Sequence, residues 1–342
     1  MKAAPQTIAV LGAGSWGTTF AKIVADCGAP FDRQIRLWGR REEVVSEINT
    51  GHQNAQYLPG IDLPENITAS TDIGWVLTGA ELVVLAVPAQ SLRGQLPGLA
   101  PYLSSSAVVV SLMKGLEVGT DARMSEVIKA ELGLADERVV VVSGPNLAKE
   151  IAREEPTASV VACTDHDVAI WAAELCTTAY FRPYTNTDVV GVEIGGIVKN
   201  IIALAVGVCE GKQMGDNTKA SVITRGLAET TRLAIALGGH AETMSGLAGL
   251  GDLVATCSSP LSRNHTAGRL LGKGLTLEEV AAEMTQTAEG IKSAQPVLDA
   301  AQQRGIDMPI TEALCAVLRR EISVDQLGPL LLARELKHEG VR

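Results

Sequence analysis

A single lysine, Lys199, lies in a stretch, residues 189–209, whose composition predicts an apolar helix. Burying an unpaired ammonium group is costly, so a cation kept in such a helix is expected to have a function. One helical turn away lie Gly195 and Gly196 on one side and Ala203 on the other, and these small residues would leave room beside the amine. Lys199 is therefore the first candidate for a catalytic acid or base.

A glycine-rich turn near the start of the chain predicts a dinucleotide site. Residues 12–17 read Gly-Ala-Gly-Ser-Trp-Gly, directly after a predicted strand and at the start of a predicted helix. Gly12 would permit the tight turn, Gly14 would let backbone amides approach a pyrophosphate, and Gly17 would let helix and strand pack closely. A bare glycine turn is the alternative, but the second predicted strand ends where a dinucleotide fold requires it to end.

Two arginines, Arg40 and Arg41, follow that second strand, where NAD-selective enzymes usually carry an acidic residue for the ribose hydroxyls. A carboxylate about 4 Å from a 2′-phosphate would be repelled by roughly 4 kcal/mol near a protein surface, whereas an arginine would be attracted. The arginines therefore favour NADPH as the preferred cofactor, with NADH also possible. The alternative is that both are solvated residues at the start of a helix.

Two further loops follow predicted strands, at the edge where such sheets bind ligands. Residues 111–117 place Lys114 just beyond a buried strand. Residues 143–150 predict a turn that opens a helix and exposes backbone amides to an anion. A surface lysine is the alternative interpretation of Lys114.

An aspartate and a predicted helix start lie further along the chain. Asp252 follows the sequence Gly-Leu-Gly and is either a helix cap or a carboxylate that holds a substrate hydroxyl or positions Lys199. Ser262 is predicted to cap a helix whose first residues are Arg263 and Asn264, which adds side-chain donors to the unpaired amides and the helix dipole. This pattern predicts a phosphate site, with an ordinary capped surface helix as the alternative.

Two domains are needed to position these residues, because 342 residues exceed one ordinary core. Short apolar segments alternate with helical ones in residues 1–187, which predicts an α/β domain with a doubly wound, Rossmann-type parallel sheet. The predicted strands are 7–11, 35–38, 82–87, 107–112, 139–143 and 159–162. Residues 188–342 predict an all-helical C-terminal domain. Its predicted helices include 218–237, 262–271, 277–284, 291–304 and 311–320.

Composition limits the partners. A net charge of −10 argues against nucleic acid. The six scattered cysteines predict reduced thiols in the cytoplasm, with neither a disulfide framework nor a zinc or other metal site. The uncharged window 94–113 contains prolines and serines, so no membrane insertion is expected. A small phosphorylated substrate and a homodimer are expected instead.

Together these candidates predict hydride transfer to the carbonyl of a small phosphorylated substrate, with Lys199 donating a proton to the developing alkoxide or accepting one in reverse. An ordinary lysine, with a pKa of about 10.4, is a poor base at neutral pH. Burial and neighbouring cations must therefore favour the neutral amine, and Lys114 and Arg263 are the candidate cations. A different hydroxyacid or ketoacid reductase would need a carboxylate-binding motif, and a protein that only senses NADPH would not need Lys199.

The ordered motifs resemble those of bacterial NAD(P)-dependent glycerol-3-phosphate dehydrogenases, from Thr7 to about Pro309. The resemblance rests on residues 12–17, 114–117, 143–145, 199–200, 217–219, 249–252, 262–264 and 288–290. It implies reduction of dihydroxyacetone phosphate to sn-glycerol 3-phosphate, which supplies the backbone of phospholipids.

The resemblance also implies which residues contact each ligand. The implied dinucleotide contacts are Ser15, Trp16, Arg40 or Arg41, Lys114, Ala148, Arg263 and Glu289, with Thr287 where the family often has an aliphatic residue. The implied substrate contacts are Lys114, Gly144, Asn146, Lys199, Asp252, Ser262, Arg263 and Asn264, with Asn146 where the family commonly has Ser or Thr.

Overall fold

The structure, a computed structural model, describes residues 4–28, 33–284 and 288–333 and divides into two compact units. The first unit runs to Met113 and continues from Arg123 to Val189. The second comprises Lys114–Ala122 and the residues from Val190 onward. Each unit has its own hydrophobic core.

The first unit contains one eight-stranded sheet in the order β3-β2-β1-β4-β5-β6-β7-β8. The strands are β1 Thr7–Leu11, β2 Gln34–Trp38, β3 Ile67–Ser70, β4 Leu82–Leu85, β5 Val108–Ser111, β6 Val139–Ser143, β7 Thr157–Ala162 and β8 Phe181–Asn186. The chain reverses its direction of winding between β1 and β4, which is where a doubly wound sheet binds its ligand. The Rossmann-type prediction is therefore confirmed.

Three features of the sheet differ from the sequence-based prediction. The strands β3 and β8 were not predicted, since β3 is short and alternates buried with more exposed side chains, and β8 is an edge strand with half of its side chains exposed and a proline, Pro183. In addition, β7 pairs antiparallel with β6 and parallel with β8, so this sheet is parallel except at the pairing of β6 with β7. An apolar run predicts a buried strand but does not specify its direction.

Helices alternate with the strands along the chain in the first unit, and helices also make up the second unit. In the first unit they are α1 Ser15–Gly28, α2 Glu42–Gly51, α3 Ile73–Leu77, α4 Leu92–Leu99, α5 Met124–Leu132, α6 Ala148–Ala152 and α7 His166–Glu174. From there onward they are α8 Val189–Gly211, α9 Asp216–Ala236, α10 Ala241–Met244, α11 Asp252–Ser258, α12 Arg263–Gly272, α13 Leu277–Glu283, α14 Glu289–Gln302, α15 Pro309–Leu318 and α16 Leu327–Leu332. The described part of the second unit has no strand, which confirms the helical prediction.

The longest helix, α8, is the core of the second unit. It is long and apolar enough by composition to cross a membrane, but 94% of its apolar window is buried inside the protein. Ile197, Val198 and Ile201 are almost completely inaccessible to solvent. A helix that is apolar on all sides needs cover on all sides, and here the other helices of the unit provide it.

Close backbone contact holds α12 against α8. A Cβ atom added to Gly268 would lie 2.0 Å from the carbonyl oxygen of Leu204, and one added to Gly207 would lie 2.1 Å from that of His265. Larger side chains at these two positions would push the helices apart. The start of α12 is therefore held at a fixed position beside α8.

A buried carboxylate joins α9 to the start of α15. Glu229 accepts hydrogen bonds from the backbone N–H groups of Ile310 and Thr311 at 2.6 and 3.3 Å, and from the Thr311 hydroxyl at 3.1 Å. Burial raises the pKa of Glu229 from 4.5 to about 7, and these hydrogen bonds oppose the shift. Glu229 thus supplies the acceptor that the exposed amides of a helix start need.

Replacing Glu229 with alanine should lower the free energy of unfolding by about 2–4 kcal/mol, because buried donors lose their acceptor. Urea unfolding near pH 6 measures the loss. Glu312→Ala is the matched control, since Glu312 is an exposed acid in the first turn of the same helix and should cost less than about 1 kcal/mol. Equal losses in the two variants would contradict the role of Glu229.

The pH dependence follows from the same shift. Because the folded-state pKa of Glu229 is raised, the native state binds this proton more tightly than the unfolded chain does. The resulting stabilisation is present below pH 4.5 and is lost as the pH rises through about 7. Glu229→Ala should therefore flatten the decline of stability across this range.

Candidate active site

The glycine turn between β1 and α1 has the geometry that a dinucleotide requires. Gly12 has a φ of +122°, and a Cβ there would lie 2.5 Å from the carbonyl oxygen of Ala86. A Cβ on Gly17 would lie 1.9 Å from the carbonyl oxygen of Gly12. At Gly14, by contrast, no described atom beyond its own residue and its two chain neighbours lies within 4 Å of the Cβ position. The turn thus leaves open space beside the first amides of α1, which fits a pyrophosphate.

Arg41 is held against the loop that covers this turn. It directly precedes α2, its guanidinium bonds the side-chain oxygen of Gln56, and its Cζ atom lies 5.6 Å from the ring centroid of Tyr57. The carbonyl oxygen of Tyr57 accepts a hydrogen bond from Ser15 Oγ at 3.3 Å. Arg40 and Arg41 are both exposed, and contacts fix the position of Arg41 near the turn.

Several side chains of the first unit have a buried polar atom without a hydrogen-bond partner in the described part of the chain. They include the indole Nε1 of Trp16, the hydroxyl of Ser143 and the side-chain amide of Asn146, of which both the oxygen and the nitrogen lack a hydrogen bond. The loop that carries Asn146 is tied to α1, because Thr19 Oγ1 donates to the carbonyl oxygen of Ala148 at 3.1 Å. Buried polar groups without partners are rare, so Trp16 and Asn146 fit a ligand that supplies the missing partners.

In the second unit, Lys199 lies in a cluster with Asp252, Thr256 and Lys114. The Nζ atom of Lys199 lies 2.9 Å from Asp252 Oδ1 and donates to Thr256 Oγ1 at 2.6 Å. Thr256 Oγ1 in turn donates to Asp252 Oδ1 at 3.1 Å, and Lys114 bonds the other carboxylate oxygen, Oδ2. Asp252 is only 1% exposed, so one buried carboxylate joins two ammonium groups.

This geometry excludes the helix-cap interpretation of Asp252. Gly251 occupies the cap position of α11 and Asp252 is its first residue, so the carboxylate is not the cap. It is an ion-pair partner of both Lys199 and Lys114. Thr256 was not predicted, although it stands four residues after Asp252 on the same helix, the spacing that brings two side chains together.

The cluster carries more positive than negative charge. The pKa of Lys114 is lowered to about 8, mainly by burial and in part by the nearby Lys199, while Asp252 opposes the shift. The cation expected beside Lys199 is thus present. Two ammonium groups facing one carboxylate leave an excess positive charge, which suits an anionic ligand.

The space expected beside Gly195 is filled, which corrects the sequence-based interpretation. A Cβ on Gly195 would lie 2.5 Å from the carbonyl oxygen of Ala248, in the π-helical turn Leu247–Gly251 that leads into α11. This glycine therefore serves close packing of that turn against α8. The helix α8 also carries a second buried ionisable residue, Glu193, which is 3% exposed.

The start of α12 confirms the predicted cap. The Ser262 hydroxyl accepts a hydrogen bond from the backbone N–H of His265 at 3.2 Å, and Arg263 is the first helical residue. The side chain of Arg263 is exposed, yet partial desolvation of its guanidinium by the surrounding protein lowers its pKa. The Glu289 carboxylate opposes this shift. Burial in turn raises the pKa of Glu289.

Asn264 connects three helices through its side-chain amide. Its Nδ2 donates to Asn200 Oδ1 on α8 at 2.9 Å, and its Oδ1 accepts from the backbone N–H of Gly290 on α14 at 2.8 Å. Asn200 was not singled out from the sequence, although it adjoins Lys199. Thr287, predicted near the cofactor, lies outside the described residues.

A Rossmann-type sheet with a glycine-rich turn of dinucleotide-binding geometry, and a helical unit with a buried, ion-paired lysine, are features of NAD(P)-dependent dehydrogenases. The chain belongs to the NAD-dependent glycerol-3-phosphate dehydrogenase family. Residues 7–169 match the N-terminal part of that family and residues 188–328 match its C-terminal part.

Individual relatives support this membership. The chain is 56% identical over 332 residues to the glycerol-3-phosphate dehydrogenase (NAD(P)+) of Thermobifida fusca, covering 97% of this chain and 98% of the relative. It is 56% identical over 335 residues to the enzyme of that name from Streptomyces griseus, covering 98% of each. The crystal structure of glycerol-3-phosphate dehydrogenase from Coxiella burnetii superposes with a TM-score of 0.90 at 36% identity, covering 96% of this chain and 99% of that one.

Replacing Asp252 with asparagine should lower the free energy of unfolding by about 3–5 kcal/mol, because two partly buried ammonium groups lose their carboxylate. Adding Lys114→Met removes one of these ammonium groups, so the double variant should regain part of the loss. Urea unfolding of the single and double variants measures the coupling.

Asp299→Asn is the control, because Asp299 accepts a surface hydrogen bond from Gln295 and should cost little. Strictly additive losses for Asp252→Asn and Lys114→Met would show that the two residues are not coupled.

Proposed function

We propose that this protein reversibly reduces dihydroxyacetone phosphate to sn-glycerol 3-phosphate with NADPH or NADH, and so supplies glycerophospholipid synthesis. The observation that carries the proposal is the buried cluster of Lys199, Asp252 and Lys114, in a chain that matches the glycerol-3-phosphate dehydrogenase family over both units. A protein that only senses a dinucleotide has no need of such a cluster.

The first unit would hold the dinucleotide, which supplies a hydride when bound. The open space at Gly14 and the amides that open α1 suit its pyrophosphate. The unpaired indole of Trp16 offers it a further donor. These groups bind and orient, and they leave the proton chemistry to the second unit.

Lys199 would act as the general acid for the carbonyl oxygen. Its Nζ atom donates to Thr256 Oγ1 at 2.6 Å and lies 2.9 Å from Asp252 Oδ1, and no other described residue is bonded to it. An ammonium held in this way presents its remaining N–H in a fixed direction, so a carbonyl oxygen there receives a proton as negative charge develops. In the reverse reaction the neutral amine accepts that proton from the alcohol.

The phosphate group would be bound by cations and by the start of α12. Arg263, the N–H groups of the first helical turn and the excess charge of Lys114 and Lys199 favour an anion there. Ser262 and Asn264 hold this helix start in place through their own hydrogen bonds. Gly144 of the first unit is proposed as a further substrate contact on the family resemblance.

We also propose a preference for NADPH, a homodimeric assembly and a cytoplasmic location. The preference is supported by Arg41, whose guanidinium is fixed beside Tyr57, and by the neighbouring Arg40. The cytoplasmic location is supported by the six cysteines, all of which are free thiols.

Lys199→Ala should lower kcat for dihydroxyacetone phosphate by about 10²–10⁴-fold, the usual effect of removing a general acid. NADPH oxidation at 340 nm measures turnover, and titration calorimetry should show NADPH binding within about twofold of the wild type. Lys273→Ala is the control, because Lys273 is an exposed lysine of the same unit.

Unchanged kcat in Lys199→Ala would refute its catalytic role. A wild-type protein that binds NADPH but reduces neither dihydroxyacetone phosphate nor a 2-keto acid would favour a sensor, and one that reduces only the 2-keto acid would favour a ketoacid reductase.

Replacing both Arg40 and Arg41 with serine should reduce the ratio of kcat/KM for NADPH over NADH by at least about tenfold, because the 2′-phosphate loses its cations. The same spectrophotometric assay with each cofactor measures the ratio. Arg153→Ser is the control, since Arg153 is a surface residue of the same unit paired with Glu155. A wild-type enzyme that favours NADH would contradict the assignment directly.

A further inference from the structure

The side chain of Asn146 has a donor and an acceptor in need of partners. Its Oδ1 and Nδ2 are both buried, and neither bonds any described residue. Its backbone N–H is already used, since it donates to the carbonyl oxygen of Gly144 at 2.7 Å. Leaving one buried amide unpaired costs more free energy than a typical hydrogen bond contributes. A buried amide without partners in the protein therefore indicates a ligand that forms the missing hydrogen bonds.

The chemistry of the amide narrows what that partner can be. A side-chain amide presents a carbonyl acceptor and an NH2 donor side by side, so a full complement must offer a donor and an acceptor at the same spacing. Phosphate and ketone oxygens only accept, and a hydroxyl offers both roles on a single oxygen atom. A primary carboxamide satisfies both atoms of Asn146 with two parallel hydrogen bonds.

The position of Asn146 at the edge of the sheet indicates that the carboxamide that would bind it belongs to the dinucleotide. The residue follows β6, at the carboxyl edge of the sheet where the glycine turn also lies. The loop that carries it is joined to α1, the helix that begins at that turn, by the bond from Thr19 to Ala148. Trp16, whose indole nitrogen is likewise buried without a partner, lies one turn before Thr19 and Phe20 on the same helix.

We propose that Asn146 binds the carboxamide group of the nicotinamide ring, with Nδ2 donating to the carboxamide oxygen and Oδ1 accepting from the carboxamide NH2. The proposal rests on the proposed function only in requiring a nicotinamide dinucleotide. It assigns Asn146 to the cofactor, whereas the family resemblance placed it among the substrate contacts. In this role Asn146 is a positioning residue that fixes how the ring is turned about its glycosidic bond.

A cofactor analogue tests this directly. In the 3-acetylpyridine analogue of NADP+ a methyl group replaces the carboxamide NH2, so it can accept from Nδ2 but cannot donate to Oδ1. Calorimetric titration without substrate should show that the wild-type protein binds NADP+ about tenfold more tightly than the analogue. In Asn146→Ala the affinity for NADP+ should fall by about tenfold and the preference over the analogue should fall to about twofold or less.

Two further variants separate this role from general damage. Asn146→Ser replaces the amide with a single hydroxyl and should keep only part of the preference. Lys149→Ala alters an exposed side chain three residues along the same segment and should keep the full preference. Should Asn146→Ala fail to fold, the affinity for NADP+ relative to the analogue in the wild type and in Asn146→Ser still tests whether Asn146 binds the carboxamide.

Two results would overturn the proposal. One is a wild-type protein that binds NADP+ and the analogue within twofold of each other. The other is an Asn146→Ala or Asn146→Ser protein with unaltered cofactor affinity and a raised KM for dihydroxyacetone phosphate, which would assign the side chain to the substrate. Since the titration contains no substrate, a failure of dihydroxyacetone phosphate reduction would count against the proposed function and leave this result intact.

Discussion

A carboxylate buried between two lysines is the interaction on which the second unit depends. Asp252 is almost fully inaccessible, and neither it nor the ammonium groups of Lys199 and Lys114 could be buried alone without a cost of several kcal/mol. As ion pairs, they offset one another's cost of burial inside an apolar unit. Because the cations outnumber the anion, the cluster is stable as folded and still attracts a negative ligand.

Close backbone packing brings these charges together. Gly195 lets the turn before Asp252 reach α8, and Gly207 and Gly268 let α12 touch the same helix further along. The side chain of Asn264 then ties the start of α12 to Asn200, the neighbour of Lys199. The proposed general acid, Lys199, and the helix start proposed to bind the phosphate are thus held against one helix, as a positioned site requires.

The sequence predicts those parts of the structure that depend on local spacing. The glycine turn and the Ser262 cap are encoded within a few residues, and both were predicted correctly. Some features that depend on tertiary contacts were not predicted. Thr256 meets Lys199 only because α11 lies against α8, and the edge strand β8 is paired although half of its own side chains are exposed.

Gly195 shows the limit most clearly. A small residue beside a buried lysine is equally consistent with room for a ligand and with room for a neighbouring backbone. Only the fold distinguishes the two, and it places the carbonyl of Ala248 in that space. The direction of β7 is a similar case, since an apolar run pairs equally well in either direction.

The polar groups proposed to bind ligands differ between the two units in whether they already have hydrogen-bond partners within the protein. Trp16 and Asn146 in the first unit are buried without partners, so a ligand that bonds them relieves a desolvation cost already present in the folded protein. Lys199 in the second unit already has Asp252 and Thr256 as partners, so a ligand there competes with existing bonds for its protons. Binding to the first unit should therefore contribute mainly affinity and stabilisation by mass action. Binding to the second should contribute less affinity and more to the transition state, in which the carbonyl oxygen becomes basic enough to take the proton.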